Sequence, residues 1–131
     1  MRTIDEIIIK DKTLREHLEL HKKWLNNEEG GIRLDLRDAE LQYADLQYAN
    51  LRGADLRDAE LDFSCFPLWC GALNFKIDEK QAKQLMYHVI NLMQYSNLDT
   101  KKIFKKATYK WLKDSHLVTK HNMPLLEEKD E

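Results

Sequence analysis

Carboxylates that recur in close pairs are the first residues of this 131-residue chain whose types could carry chemistry: Asp38, Glu40, Asp55, Asp58 and Glu60. Two carboxylates can share the roles of general acid and general base, but only when one of them lies in a pocket that perturbs its pKa. The regular spacing predicts outward-facing positions on a repeated backbone, which offers no such pocket. We therefore interpret these residues as a solvated acidic surface and predict that the protein is not an enzyme.

A metal site is the second chemical possibility. His17 and His21 lie four residues apart on a predicted helix, and Cys65 and Cys70 lie five residues apart. Zinc binds both ligand types, but the cysteine spacing is not the tight C-x₂-C of common zinc sites. Nucleophilic catalysis by either cysteine would need an orienting histidine, which the sequence does not place. We interpret the cysteines as structural thiols and predict no metal and no cofactor, with a zinc or catalytic site as the alternative.

Charge is segregated along the chain, although the net charge is only −2. Residues 28 to 63 contain ten acidic residues and four arginines, whereas residues 99 to 122 contain seven lysines and two aspartates. A lysine-rich helix could contact phosphate or an anionic membrane surface. It contains no arginine for bidentate recognition, and the acidic segment would repel phosphate. We therefore favour a solvated helix face, or one half of a dimer contact, over nucleic-acid or membrane binding.

Helices are predicted on both sides of the acidic segment. Thr13 and Glu16 form a capping box that begins a helix from Leu14 to about Asn27, before Gly30 and Gly31. A second helix, capped by Asp78, has the apolar stripe Ala82, Leu85, Met86, Val89, Ile90 and Met93. A third is predicted from Asp99, with Ile103, Phe104, Ala107, Trp111 and Leu112 facing inward and Lys101, Lys102, Lys105, Lys106, Lys110 and Lys113 outward. The tail "LLEEKDE" is predicted to be frayed.

A period of five residues organises the segment "AELQYADLQYANLRGADLRD", residues 39 to 58. Alanine occupies every fifth position and leucine follows two residues later, a spacing that neither a helix nor a strand explains. A period of twenty is superimposed, because residues 34–43 and 54–63 match at seven of ten positions. We predict that the inward-facing side chains are Leu36, Leu41, Leu46, Leu51, Leu56 and Leu61 with Ala39, Ala44, Ala49, Ala54 and Ala59.

The units "AELQY", "ADLQY", "ANLRG", "ADLRD" and "AELDF" follow the pattern A-[D/N]-L-x-x, and in this the chain resembles the pentapeptide repeat family. The resemblance implies a β-solenoid, here a right-handed, four-sided β-helix of about two coils. Adding the predicted helices gives a helical cap at residues 1–33, the coil and its exit at 34–73, and a helical region at 74–131. In "FPLWCGALNF", Trp69 replaces the alanine and Gly71 the leucine, so this stretch is expected to leave the coil and cover its end.

The outer positions combine acids with aromatic rings, which is typical of a protein-binding face aimed at a basic partner. In a coil of twenty residues, Asp38 stacks on Asp58 and Glu40 on Glu60, and such like-charge pairs are destabilising. A surface without a use could have diversified, so the retained acids indicate a function. The predicted binding residues are Asp38, Glu40, Tyr43, Asp45, Tyr48, Asp55, Asp58 and Glu60.

Several partners fit this face. We expect a protein with a basic surface, such as a bacterial nucleic-acid-binding protein, and a homodimer as a further contact. The resemblance implies two specific roles: short members of this appearance are associated with bacteriophages and counter-defence, as in anti-CRISPR proteins, and some longer members mimic DNA and occupy DNA gyrase. A homodimerisation module without inhibitory function is the alternative. No run of eighteen apolar residues and no secretory signal pattern is present, so a cytoplasmic location in a bacterial host cell is expected.

Overall fold

The computed structural model describes residues 1–100 and 102–124. The chain divides into two compact units, residues 1–78 and residues 79–131. The first unit contains the N-terminal helix and the repeats, and the second contains the remaining helices. The tail that was expected to be frayed lies outside the described residues from residue 125 onward, as does Lys101.

A short hairpin leads into the first helix. Strands β1 (Ile8–Ile9) and β2 (Lys12–Thr13) pair antiparallel, and helix α1 (Leu14–Leu25) follows directly. The hydroxyl of Thr13 accepts from the N–H of Glu16, and the Glu16 carboxylate accepts from the N–H of Thr13. The predicted capping box is therefore confirmed, and α1 ends two residues before the expected position.

The repeats pair with one another at a separation of twenty residues. Parallel bridges join Asp35 to Asp55, Glu40 to Glu60 and Asp45 to Cys65. The pairing is reciprocal, since the N–H of Glu60 donates to the Ala39 carbonyl at 2.9 Å and the Glu60 carbonyl accepts from Leu41 at 2.9 Å. The resemblance to pentapeptide repeats implies a β-solenoid, but β1 and β2 are the only regular strands among the described residues. The right-handed β-helix of two coils therefore stays a prediction.

The side chains predicted to face inward form the core of the first unit. The six leucines are at most 4 % exposed and the five alanines at most 8 %. Ile7 and Leu14 from the N-terminal segment are buried in the same cluster. This core confirms the inward-facing set, because every leucine and alanine of the five-residue period belongs to it.

The stretch "FPLWCGALNF", residues 66–75, is called the exit segment here. It shifts the pairing by one residue and does not end it. After a short 3₁₀-helix at Cys70–Ala72, Lys76 forms a parallel bridge with Asp55, a separation of twenty-one residues. Trp69 is 44 % exposed, so its ring does not occupy the inner alanine position. Phe66 and Phe75 stack with ring centroids 5.8 Å apart and pack against the core. These contacts correct the expectation that the chain leaves the repeats here.

Gly71 is required where the exit segment passes the repeats. A Cβ atom at this position would lie 2.5 Å from the Trp69 ring and 2.9 Å from the Ala49 carbonyl oxygen. The Gly71 carbonyl accepts from the N–H of Leu51 at 2.8 Å, so the backbone must come this close. The glycine that breaks the leucine pattern therefore lets the pairing continue.

The described residues of the second unit form three helices: α2 (Glu79–Tyr95), α3 (Lys106–Leu112) and α4 (His116–Thr119). Its core consists of Tyr87, Ile90, Tyr109, Leu112 and Leu117. The helix predicted from Asp99 begins only at Lys106, and α4 was not predicted. Several residues expected to face inward are instead exposed: Leu85, Val89, Ile103 and Ala107.

Among the described residues, no helix combines the length and the apolar character that crossing a membrane would require.

Candidate functional site

Two exposed aromatic rings form a stack on the outside of the repeats. The rings of Tyr43 and Phe63 lie 5.0 Å apart at an interplanar angle of 14°, and their residues are 54 % and 53 % exposed. Each sits at the third position of a turn in the left-handed region, with φ of 60° and 61°. Glycine favours this conformation, whereas a bulky residue adopts it at a cost of about 1 kcal/mol. The stack is therefore kept on the surface at the expense of backbone strain.

Glu40 and Glu60 lie three residues before Tyr43 and Phe63, in the same two repeats. Glu40 is exposed and Glu60 is half-buried, and their backbones form a bridge. Arg2 continues the pairing beyond Ala44, and its guanidinium donates to the carbonyls of Glu40 at 2.9 Å and Gln42 at 2.6 Å. Arg2 was not predicted as a site residue, because it lies outside the repeat pattern.

A second acidic group lies at the turns of Asp38 and Asp58, both exposed and both with φ of 62°. The N–H of Asp58 donates to the Asp78 carboxylate at 2.6 Å. Asp78 was predicted only as a helix cap, yet it adds a third carboxylate to this group. Asp78 lies twenty residues after Asp58, which is the longer period of the repeats, and this spacing was the signal in the sequence that could have identified it.

Asp35 and Asp55 differ from the other acids because each is paired with an arginine two residues later. The guanidinium of Arg57 donates to both oxygens of Asp55 at 2.9 and 2.6 Å, and Arg37 binds Asp35 in the same way. These hydrogen bonds hold the pKa of both carboxyl groups down to about 2. Asp55 is also only 8 % exposed, so the expectation that it lies on the exposed face is wrong.

Replacing Asp55 with asparagine is expected to lower the free energy of unfolding by about 2 kcal/mol at pH 7, because the buried carboxylate of Asp55 loses its charged hydrogen bonds with Arg57. Asp35→Asn is the matched control, because it breaks the equivalent pair between Asp35 and Arg37. The Asp35 side chain is 41 % exposed, so this variant should cost less than about 1 kcal/mol. Because the folded pKa of Asp55 is lowered from 3.8, its contribution is complete above that pH and is lost as the pH falls towards 2. Urea unfolding at several pH values measures both effects, and equal costs for the two variants would contradict the burial of Asp55.

Asp45 and Tyr48 line a groove of about 640 Å³ between α1 and the repeats. Tyr48 is 86 % exposed, while Leu18 and Leu25 of α1 are half-buried. The walls also carry both charge signs, and the Arg15 guanidinium is paired with the Asp5 carboxylate. The lining residues are Thr3, Ile4, Arg15, Leu18, Glu19, Lys22, Leu25, Asn26, Asp45, Tyr48, Ala49, Asn50 and Arg52. The predicted site residues therefore fall into separate groups, of which this groove is one.

The repeated segment is similar to a known protein family. Residues 35–67, about a quarter of the chain, match the family model for pentapeptide repeats in eight copies. The chain carries pentapeptide repeats. No curated protein and no solved structure matches the chain significantly. Pentapeptide repeats are generally non-enzymatic structural modules suited to protein interaction, whereas the bacteriophage origin stays a prediction.

His21 holds α1 against the pentapeptide repeats and so shapes one wall of the groove. It is fully buried; its Nδ1 accepts from the N–H of Leu34 at 3.0 Å, and its Nε2 therefore carries the proton and donates to the Arg52 carbonyl at 2.8 Å. Burial lowers the pKa of His21, and the charges of Arg33 and Arg52 act in the same direction. Both ring nitrogens are engaged with the backbone, so His21 has no free nitrogen for zinc. The Nε2 of His17 also contacts a backbone carbonyl, that of Ile9 at 2.9 Å.

The two cysteines occupy different environments in the first unit. Cys65 is half-buried in the paired part of the pentapeptide repeats, where its thiol donates to the Asp45 carboxylate at 3.2 Å. This hydrogen bond lowers the pKa of Asp45. Cys70 is exposed in the exit segment, and neither cysteine is in a disulfide. That both are structural thiols stays a prediction.

Proposed function

We propose that this protein is a non-enzymatic interaction module whose pentapeptide repeats present an acidic and aromatic face to a partner with a basic surface. The observation that carries the proposal is the stack of Tyr43 on Phe63, which is exposed and strained at once. Strain of this kind persists where the surrounding structure enforces it, and it clusters at functional positions. Exposed aromatic rings are enriched among the anchor residues of protein interfaces.

The charge around the stack supports a basic partner. In the part of the chain that the structure describes, neither Asp38 nor Glu40 forms an ion pair within 4.0 Å. Charge at the rim of an interface mainly steers the approach of the partner, whereas desolvated aromatic anchors slow its departure. The proposed contact surface therefore consists of Tyr43 and Phe63 as anchors, with Asp38, Glu40, Asp58 and Glu60 around them. Asp45 and Tyr48 contribute a second contact through the groove.

The more specific form of the proposal is a binding inhibitor of a bacterial nucleic-acid-handling protein, as in phage counter-defence. Carboxylates repeated along a rigid backbone supply negative charge of the kind that such a protein otherwise binds in the phosphates of nucleic acid. In this form the repeats make a right-handed β-helix of about two coils. Because strands lie about 4.8 Å apart, the acidic face is short, which suits the blocking of a local basic site better than imitation of a long duplex.

The decisive variant is Tyr43→Gly/Phe63→Gly. Glycine suits the left-handed turn positions, so thermal stability should be unchanged or higher, whereas loss of both rings should speed dissociation from the partner by about tenfold or more. Leu68→Ser/Leu73→Ser is the matched control, because it removes two exposed apolar side chains from the exit segment. Quantitative capture from bacterial lysate identifies the partner, and surface plasmon resonance against the purified partner measures the rates.

Charge reversal tests the other half of the proposal. Glu40→Lys/Glu60→Lys should slow association by about tenfold at low salt and leave dissociation nearly unchanged, and the difference should shrink as salt rises. Wild-type rates for both this variant and the glycine variant would remove the repeat face from the mechanism.

A further inference from the structure

Helix α2 carries two apolar stripes, of which one is buried in the second unit. Tyr87 and Ile90 are 2 % and 0 % exposed and pack with Tyr109, Leu112 and Leu117. This stripe accounts for the attachment of α3 and α4 to α2. Met86 of α2 also packs against this core, whereas Leu85, Val89 and Leu92 do not belong to it.

The second stripe is exposed and has a spacing of its own. Leu85, Val89 and Leu92 are 37 %, 48 % and 64 % exposed. With Ala82 before them and Ser96 after them, they follow one another at intervals of three, four, three and four residues. We call these five residues the α2 seam. Such alternating intervals are those of a coiled-coil contact, which needs a second helix to cover it.

The part of the α2 seam from Leu85 to Ser96 lies in a stretch of sequence without Asp, Glu, Lys or Arg. Residues 84 to 98 include no Asp, Glu, Lys or Arg, although these residues make up 34 % of the chain. The positions beside the seam are Met86, His88, Met93 and Tyr95, and Tyr95 is 89 % exposed. Charged residues are depleted and Met and Tyr enriched at the centres of protein interfaces. The uncharged part of the seam can also meet an identical surface without charge repulsion.

We propose that the α2 seam is a contact with a second copy of this chain, formed by α2 of each copy. A helix with the same spacing is needed to cover the seam, and α2 itself has it. Among the other described helices, α1 packs Leu14 and Leu18 against the core of the first unit. Helices α3 and α4 have only seven and four residues, too few to cover the seam. Tyr95 and Leu98, which are 89 % and 56 % exposed, extend the apolar contact at one end of the seam. The contact lies in the second unit and does not rest on the proposed function of the repeats.

Sedimentation equilibrium of the full chain tests the contact. The wild type should form dimers at micromolar to millimolar concentrations, and Val89→Glu should be monomeric, because Val89 is the middle of the seam and lies near its own copy in either direction of pairing. Ile103→Glu is the matched control: it places the same charge at a residue of the second unit that is 62 % exposed and outside the seam. This control should dimerise like the wild type, and circular dichroism should show native helix in both variants.

Mixing Val89→Glu with Val89→Lys identifies the occupant as a second copy. Each variant alone should be monomeric, while the mixture should recover dimers, because opposite charges then meet at the centre of the contact. The proposal is overturned by a wild type that stays monomeric up to about 1 mM, by a Val89→Glu variant that dimerises normally, or by a mixture that stays monomeric.

Discussion

Replacing Leu46 with lysine should unfold the first unit of the protein. Leu46 is fully buried in the leucine and alanine core, and its N–H donates to the Cys65 carbonyl at 3.1 Å. A lysine there would have to bury a charge without a partner, at a cost of several kcal/mol, which rivals the whole stability of a small domain. Far-UV circular dichroism and urea unfolding measure the loss.

Tyr48→Lys provides the control for this prediction. Tyr48 lies two residues further along the same repeat but is 86 % exposed, so the same new charge should leave the stability within about 0.5 kcal/mol of wild type. Leu46→Ala gives an intermediate case, with an expected cost of about 2 to 5 kcal/mol from the cavity alone. A folded Leu46→Lys protein with wild-type stability would exclude the inward position of the leucines.

Removing the imidazole of His21 should have the next largest effect. His21→Ala leaves the buried N–H of Leu34 and the carbonyl of Arg52 without their partner, and each such loss costs about 1 to 3 kcal/mol. We expect a total of about 3 to 5 kcal/mol in urea unfolding. His17→Ala, which removes one contact of a half-buried ring on the same helix, should cost about 1 kcal/mol.

The same histidine makes the first unit sensitive to mild acid. Its pKa is lowered in the folded state, so its contribution is complete above pH 6.5 and declines as the pH falls below that value. A protonated ring can no longer accept from the N–H of Leu34. Stability should therefore fall between pH 7 and 5 in the wild type and less so in His21→Ala. Parallel pH profiles for the two proteins would contradict the neutral, doubly bonded imidazole.

The five-residue period was sufficient to predict the inward side chains, but it could not distinguish between chemically identical repeats. "DLRD" occurs at residues 35–38 and again at 55–58, and both aspartates bind their own arginine. Asp55 alone is buried, because its backbone pairs with Asp35 on one side and with Lys76 on the other. Burial here depends on which repeat lies between two others, and the repeat pattern does not contain that information.

The sequence also did not show which apolar residues of the helices are buried. The apolar residues of α2 were predicted as one stripe, whereas Ile90 is buried and Val89 is exposed. Neighbouring positions on a helix can belong to two separate stripes, and periodicity alone does not show which stripe packs inside the molecule. The role of His21 was equally hidden, since its partners Leu34 and Arg52 are distant in sequence.

The candidate site combines residues that the sequence identified with others that only the fold brings near. Tyr43 was predicted as a binding residue, but its stacking on Phe63 depends on the pairing of repeats twenty residues apart. Asp78 joins Asp58 only because the pairing resumes after the one-residue interruption. The proposed interaction face therefore depends on this pairing being correct.

The pairing is tested most directly by nuclear Overhauser contacts between backbone protons of the full chain. We predict contacts at a separation of twenty residues for Asp35 with Asp55, Glu40 with Glu60 and Asp45 with Cys65, and at twenty-one residues for Asp55 with Lys76. Contacts that place these residues opposite other partners, or only contacts between near neighbours in sequence, would contradict the pairing and with it the acidic and aromatic face.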